Sequence, residues 1–446
     1  MKKLFLPGLI LIIPFVNTNA QNTADSTNTL DKWSYHFQLT TVWQAHPRFR
    51  SPYSGLNSLY GGSETALSLT TTLFTGRKLW KGAAIYFNPE IAGGEGMSGA
   101  LGIAGYPNGE TFRIGNPAPA LYVARAFIRQ HIAIGKNDDQ ETLEADVNQL
   151  QEKVPASRID ITAGKLAVSD IFDANRVSDD PRVDFLNWSL MNNGAWDYPA
   201  NTRGYTYLVS VELIKPAWAL RFAEALVATY ANGPDLDWHI RKAHSETIEW
   251  DKTTHFKNYK GNIRILGYAN TSKAPSYRQL INDKLSGVDT SMNAVYGTKY
   301  GGLKYGFGLN IDQQLSRAIS FFSRIGWNDG KTATWAFTEI DQTVSAGLKI
   351  SGNKWDRADD YVGVAAVFNG ISKDHRDFLN NGGYGFMIGD GKLPHYGPEG
   401  IIEIFYEINI WKSLFLTADY QFIHNPAYNK DRGPVNVFGL RTHVEF

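Results

Sequence analysis

Hydrophobic and polar residues alternate with a period of two along much of this chain. In the last twelve residues, "VNVFGLRTHVEF", Phe438, Leu440, Val444 and Phe446 share one parity, and Gly439, Arg441, His443 and Glu445 share the other. Successive side chains of a strand point to opposite faces, so the segment predicts a strand with one apolar and one charged face. Upstream, Leu414, Leu416, Ala418, Tyr420 and Phe422 stand against Thr417, Asp419 and Gln421. Before them, Ile402, Ile404, Tyr406, Ile408 and Ile410 stand against Glu403, Glu407 and Asn409, with only "WKS" between the two runs. The stretches "TEIDQTVSAGLKI", "AISFFSRIGW" and "YGFGLNIDQ" repeat the pattern. Further strands are predicted near 33–44, 65–75, 82–91, 120–135, 159–166, 204–213, 218–229, 240–250, 259–268 and 360–368, with the alternation broken in 218–229, 240–250 and 360–368.

An exposed apolar strand face and a free strand edge would drive a soluble protein to aggregate. Both problems vanish if the sheet closes and its apolar face meets lipid. The expectation is therefore an all-β fold, a transmembrane antiparallel β-barrel of about 16 strands, the size class of water-filled porins. Short and long connections should alternate in such a barrel. The turns "TGRKLW", "KPA", "QLS", "NKWDRA" and "WKS" fall on one side, and 45–64, 92–119, 167–203, 269–302 and 369–399 on the other. The connection 136–158 breaks the rule, and its "DDQETLEADVNQLQEK" predicts a helix.

The N-terminus gives an address. Lys2 and Lys3 precede an apolar run from Leu4 to Val16, and small or polar residues follow to Ala20. This is the pattern of a secretory signal peptide over 1–20, leaving 21–446 as the barrel domain. The apolar run is short and carries Pro7 and Pro14, which disfavours a membrane anchor. The 446 residues hold 44 basic and 44 acidic side chains and no cysteine. Balanced charge gives no footprint for nucleic acid, and the missing thiols exclude disulfides and thiolate metal sites. The 10 histidines show no ligand spacing, and the glycine-rich stretches lack the lysine of a phosphate loop. No cofactor or metal is expected.

The stretches "HPRFRSPYSGLNSLY", "LWKGAAIYFNPEIAGGEGMSGALGIAGYPNGE", "ARAFIRQ", "GKLAVSDIFDANRVSDDPRVDFLNWSLMNNGAWDYPANTRGYTY", "RIGWNDG" and "DYQFIHNPAYNKDRGPVNVFGLR" come in the order found in the carbohydrate-selective porins of the OprB type. The chain resembles that family over nearly all of its mature length, while 269–302 and 369–399 read as its own. The resemblance implies a channel in the outer membrane of a Gram-negative bacterium, passing monosaccharides and small oligosaccharides passively into the periplasm. It implies no enzymatic activity. The expected partners are the permeating sugars, outer-membrane lipid and, through the terminal aromatic, the barrel-assembly machinery. Monomer and trimer both remain open.

Lumen side chains tune what a porin passes. On 120–135, Arg125, Phe127, Arg129 and His131 share the lumen parity, and Arg264, Arg324 and Arg441 share it on their own strands. Lumen-facing acids by the same rule are Asp312, Glu339, Asp341, Glu403, Glu407 and Asp419. The segment 167–203 is long for a connection yet rich in aromatics, so it should pack, and the inner wall is the surface on offer. It supplies Asp170, Asp173, Asn175, Arg182, Asn187, Asp197 and Arg203, together with Trp188 and Trp196 as flat faces for sugar rings. The expected constriction sets Arg125 and Arg129 against Asp170, Asp173 and Asp197. Paired charges that only brace the wall are the competing reading. A general or anion-preferring porin is the alternative function, because arginines serve both. A lipase-type barrel would need a Ser–His pair near the outer rim, and none is found.

Overall fold

The computed structural model describes residues 32–135 and 139–446. The signal-peptide reading over 1–20 lies outside the described residues. Eighteen strands follow in chain order: β1 Trp33–His46, β2 Glu64–Trp80, β3 Ala83–Gly94, β4 Ala120–Ala133, β5 Gln140–Leu143, β6 Glu152–Pro155, β7 Arg158–Leu166, β8 Thr206–Lys215 and β9 Trp218–Ala225. Then come β10 His244–Phe256, β11 Tyr259–Ser272, β12 Gly302–Gln314, β13 Ile319–Asn328, β14 Gln342–Gly352, β15 Arg357–Gly370, β16 Glu399–Trp411, β17 Leu414–His424 and β18 Val435–Glu445. All except β5 and β6 form one closed antiparallel barrel of sixteen strands. Closure joins β1 to β18, with Leu39 opposite Val444 and Trp43 opposite Leu440. The backbone of Phe446 completes the seam, its carbonyl accepting from Phe37 N at 2.7 Å.

The alternation read from sequence sets the two faces. On β18, Phe438 and Leu440 are about half exposed on the outside, while Val437, Arg441 and His443 are buried inside. Trp33, Trp80, Trp218, Trp411 and Phe446 stand exposed near the end at which β1 begins and β18 stops, as an aromatic girdle at a membrane interface would. We call it the inner end, because short turns mark the periplasmic side of such barrels. Its turns, 81–82, 216–217, 257–258, 315–318, 353–356 and 412–413, are short. The outer end carries the long connections 47–63, 95–119, 167–205, 226–243, 273–301, 329–341 and 371–398.

Three expectations need correction. First, 136–158 is not helical where it is described: β5 and β6 form a hairpin, with Leu143 opposite Glu152. Its Leu150 and Val154 are buried, and Leu150 packs in the same cluster as Tyr86 and Phe127 of the inner wall. Tertiary burial has overridden local helix propensity. Second, β14 starts only at Gln342, so Glu339 and Asp341 leave the wall for the outer connection. There Glu339 accepts backbone N–H bonds from Met387 and Ile388, both at 2.8 Å, and Asp341 accepts from Ser372 N at 2.9 Å. Third, the ambiguous stretches 218–229 and 240–250 resolve into a short β9 that stops at Ala225 and a β10 that runs on to Phe256.

Candidate functional site

The connection 167–205 leaves the outer end of β7 and turns down into the barrel, where wall residues of β10 to β18 fasten it. Arg324 on β13 donates to Asp173, at 3.1 Å from Nε to Oδ2, and to the carbonyls of Ser178 and Leu190 at 2.8 and 2.7 Å. Asn310 on β12 donates to Asp173 and accepts from Asn175, each at 2.7 Å. Glu403 on β16 accepts from the amides of Leu186 and Asn187 at 2.6 and 3.0 Å. Arg441 on β18 donates to the carbonyls of Pro181 and Asp184, both at 2.7 Å. Further along, Asp197 accepts from the backbone of Trp335, Ala336 and Phe337 at 2.9, 2.7 and 3.1 Å. A buried carboxylate receiving several N–H donors is held strongly, because every lone pair it turns from water is satisfied.

These bonds decide several of the expected site residues. Asp173, Asn175, Asn187, Asp197 and Arg324 are buried fastenings of the loop, and none reaches open space. Arg264 is likewise buried, paired with Asp312 at 2.6 Å on the neighbouring strand. Trp196 is 1% exposed and packs edge-on against Phe172, so it offers no face to a solute. The parity rule put these groups inside the barrel. It could not say that a loop would cover them.

With the loop seated on β10 to β18, the open interior is pushed to the opposite side. A cavity of about 540 Å³ lies between the loop and the inner faces of β1 to β4. Arg125, Arg129, Asp170, Arg182, Trp188 and Arg203 line it. Arg125 on β4 grips Asp170 bidentately, Nε to Oδ2 at 2.7 Å and Nη2 to Oδ1 at 2.6 Å, and its guanidinium lies over the Tyr205 ring at 5.2 Å. Among the described residues, Arg129 pairs with no acid. It donates to Thr162 Oγ1 and to the carbonyl of Asn148, both at 3.3 Å, and lies over Tyr86 at 5.6 Å. The expected pairing of both arginines with loop acids is thus reduced to Arg125 with Asp170. Trp188 borders the cavity but is 6% exposed, with its indole N–H donated to Asn108 O at 2.7 Å.

Several lining groups were not read from sequence. Glu90 on β3 accepts from Thr72, Tyr122 and Tyr205, with Thr72 Oγ1 at 2.6 Å and Tyr205 Oη at 3.1 Å. Arg182 Nε donates to Glu110 at 3.1 Å. Arg203 lies over Tyr122 at 4.2 Å and Phe112 at 4.6 Å. The period-two rule applied to "IYFNPEI" would have pointed Glu90 inward. Phe112, Glu110 and Tyr205 sit in connections, where no period exists.

The lining mixes charge. It holds the carboxylates of Glu90, Glu110, Asp146, Asp170, Asp179 and Asp180, and the guanidiniums of Arg125, Arg129, Arg182 and Arg203. In the outer connections, outside the spanning strands, burial pushes the Glu110 and Asp179 carboxyls up from their ordinary range. Among the described residues, the buried Arg125 Nη1, Arg203 Nη1 and Glu110 Oε2 meet no hydrogen-bond partner. The surface is therefore dense in donors and acceptors without a large net field of one sign.

Comparison with known proteins agrees with this architecture. Among solved structures, the high-pH structure of Pseudomonas putida OprB superposes with a TM-score of 0.67 at 16% identity, covering 93% of this chain and 94% of that one. At that identity the likeness speaks for the fold. The low-pH structure of the same protein aligns at a TM-score of 0.46 and 14% identity over 93% of each chain. The outer membrane channel DcaP of Acinetobacter baumannii aligns at 0.49 and 9% identity, over 93% of this chain and 97% of that one. Neither of these two adds to the assignment. No protein with curated annotation matches the sequence. The profile described as "Carbohydrate-selective porin, OprB family" matches residues 59–446, and on that match the chain belongs to the OprB family of carbohydrate-selective porins.

Proposed function

We propose that this protein lets monosaccharides and small oligosaccharides diffuse passively across the outer membrane of a Gram-negative bacterium into the periplasm. In this reading a signal segment over 1–20 is removed during export, and the cavity beside the loop is the narrow part of the path. The observation that carries it is the pairing of lining charges: Arg125 with Asp170, and Arg182 with Glu110. A guanidinium held flat by a carboxylate or ring keeps spare N–H donors at fixed angles, which suits vicinal hydroxyls. A sugar can exchange its water hydrogen bonds for these without needing a counter-charge. The half-buried rings of Tyr122 and Phe112 add apolar area beside these groups.

An anion-preferring porin is the second reading. Six lining carboxylates against four guanidiniums weigh against it, because anions need an excess of positive charge. Liposome swelling with the purified protein tests the proposal. Monosaccharides should enter faster than amino acids of similar size, and sugar should reduce the ionic current through single channels. Equal swelling rates for both solute classes, with no effect of sugar on the current, would sink the reading.

A further inference from the structure

The hairpin β5–β6 was the part of the chain that broke the rule of short inner connections. It does not hang into the periplasm. Its tip folds back up into the barrel, and its residues bind the inner faces of β2, β3 and β4. Glu152 meets Lys78 at 3.2 Å and His131 at 3.6 Å. Asn88 Nδ2 donates to Asn148 Oδ1 at 2.8 Å, and Arg129 donates to the Asn148 carbonyl at 3.3 Å. Asn88 lies well inside β3, five residues beyond its first residue, Ala83, so the tip reaches about 17 Å along the wall. Leu150 and Val154 are buried beneath it.

The tip is rigidly built. Asp146 and Gln149 exchange backbone hydrogen bonds at 3.2 and 3.0 Å, with Asn148 at a φ of 55° between them. Asparagine tolerates that left-handed conformation better than most residues. Gln149 Nε2 is fixed by the Glu144 carbonyl at 2.7 Å. At the base, Arg158 bonds both Glu141 and the Pro155 carbonyl, at 2.5 and 3.1 Å. Asp146, Val147, Asn148 and Gln149 line the same cavity as Arg125 and Arg203. Val147 is an exposed apolar side chain there, 37% accessible, which is unusual at a tip so closely held.

We propose that this hairpin is a second wall of the solute path. The outer loop closes the path from above, and the hairpin tip closes it from below, so that a passing neutral polyol meets Val147 and the amides of Asn148 and Gln149 before it leaves for the periplasm. The amides supply both donors and acceptors, and Val147 supplies an apolar patch for a ring face. The Asn148 carbonyl also positions Arg129, accepting from its Nη1 at 3.3 Å. The identity of the solute rests on the sugar-channel reading. The place of the hairpin in the path does not.

The chain has no cysteine, so a single introduced thiol is a unique reporter. Val147→Cys, treated with a bulky cationic thiol reagent, should lose about half or more of its single-channel conductance in plain KCl. Lys153→Cys, exposed on β6 and away from the cavity lining, should be modified with little change. Replacing 144–151 by a two-residue Asn-Gly turn, which fits the Leu143–Glu152 pair, should raise conductance about twofold. It should also let larger oligosaccharides swell liposomes. Heat-shifted gel mobility checks that each variant is a folded barrel. Complete modification of Val147→Cys by mass with unchanged conductance would overturn the proposal, as would an equal loss from Lys153→Cys. Because conductance is read in salt alone, a wild-type channel indifferent to sugars would defeat the sugar reading and leave this test intact.

Discussion

Arg125→Ala should move the channel toward cations by an amount that can be worked out. Arg125 and Asp170 form a bidentate pair, at 2.7 and 2.6 Å, on the wall of the cavity. The pair is close to neutral as seen by a passing ion. Removing the guanidinium leaves the Asp170 carboxylate facing the path alone. For an ion about 6 Å from the lost charge, the Coulomb term in water is about 0.7 kcal/mol, or about 0.4 kcal/mol after screening at 0.1 M salt. A cation gains that amount and an anion loses it, so the permeability ratio shifts by about 0.8–1.4 kcal/mol, roughly four- to tenfold. The assay is the reversal potential under a KCl gradient across a planar bilayer. Asp170→Asn should shift it by a similar amount in the opposite direction. The double variant should return near the wild-type value. Arg125→Lys should keep the ion preference, because the charge stays, but weaken sugar block, because the planar fork is gone. A reversal potential that does not move in Arg125→Ala, or that moves toward anions, would refute the reasoning.

Arg324→Ala should free the loop from the wall, because it strands the buried Asp173 carboxylate at a cost of about 3–5 kcal/mol; the expected result is noisier, larger conductance and protease cleavage within 167–203, and a quiet wild-type trace would contradict it. Glu110 and Asp179 should make the channel pH-sensitive. Burial raises both, so each gains negative charge as pH rises through its raised value, and cation preference should grow with pH; Glu110→Gln should flatten that profile. Phe446→Asp should lower the amount of protein reaching the outer membrane, since it removes the ring stacked on Phe37 at 5.3 Å across the closing seam and the terminal aromatic expected to be read during assembly; normal levels in fractionated membranes would count against that role.

The barrel was legible because its cause is local. A strand with lipid on one side and a polar lumen on the other must alternate residue by residue, so Phe438, Leu440 and Arg441 declared their faces without reference to any other segment. Thirteen such runs, three more with a broken alternation, and the order of short and long connections pointed to a barrel of about sixteen strands. The same rule put Arg125, Arg264 and Arg324 inside, and there its power ended. Which of them meets the solute depends on where the loop 167–203 lies, and that is set by bonds between residues far apart in sequence: Arg324 with Asp173, Glu403 with Leu186 and Asn187, Asp197 with 335–337. The loop covers Arg324, while Arg264 is spent on Asp312, and Arg125 keeps an open side. The hairpin at 140–155 shows the same limit. Its sequence favours a helix in isolation, but burying Leu150 and Val154 and satisfying Asn148 and Glu152 on the adjoining inner faces of β2 to β4 outweigh a preference of tenths of a kcal/mol per residue. Periodicity records the solvent on each side of a strand, so the sequence alone determined the wall; the width and chemistry of the passage came from long-range packing inside it, which leaves no period to read.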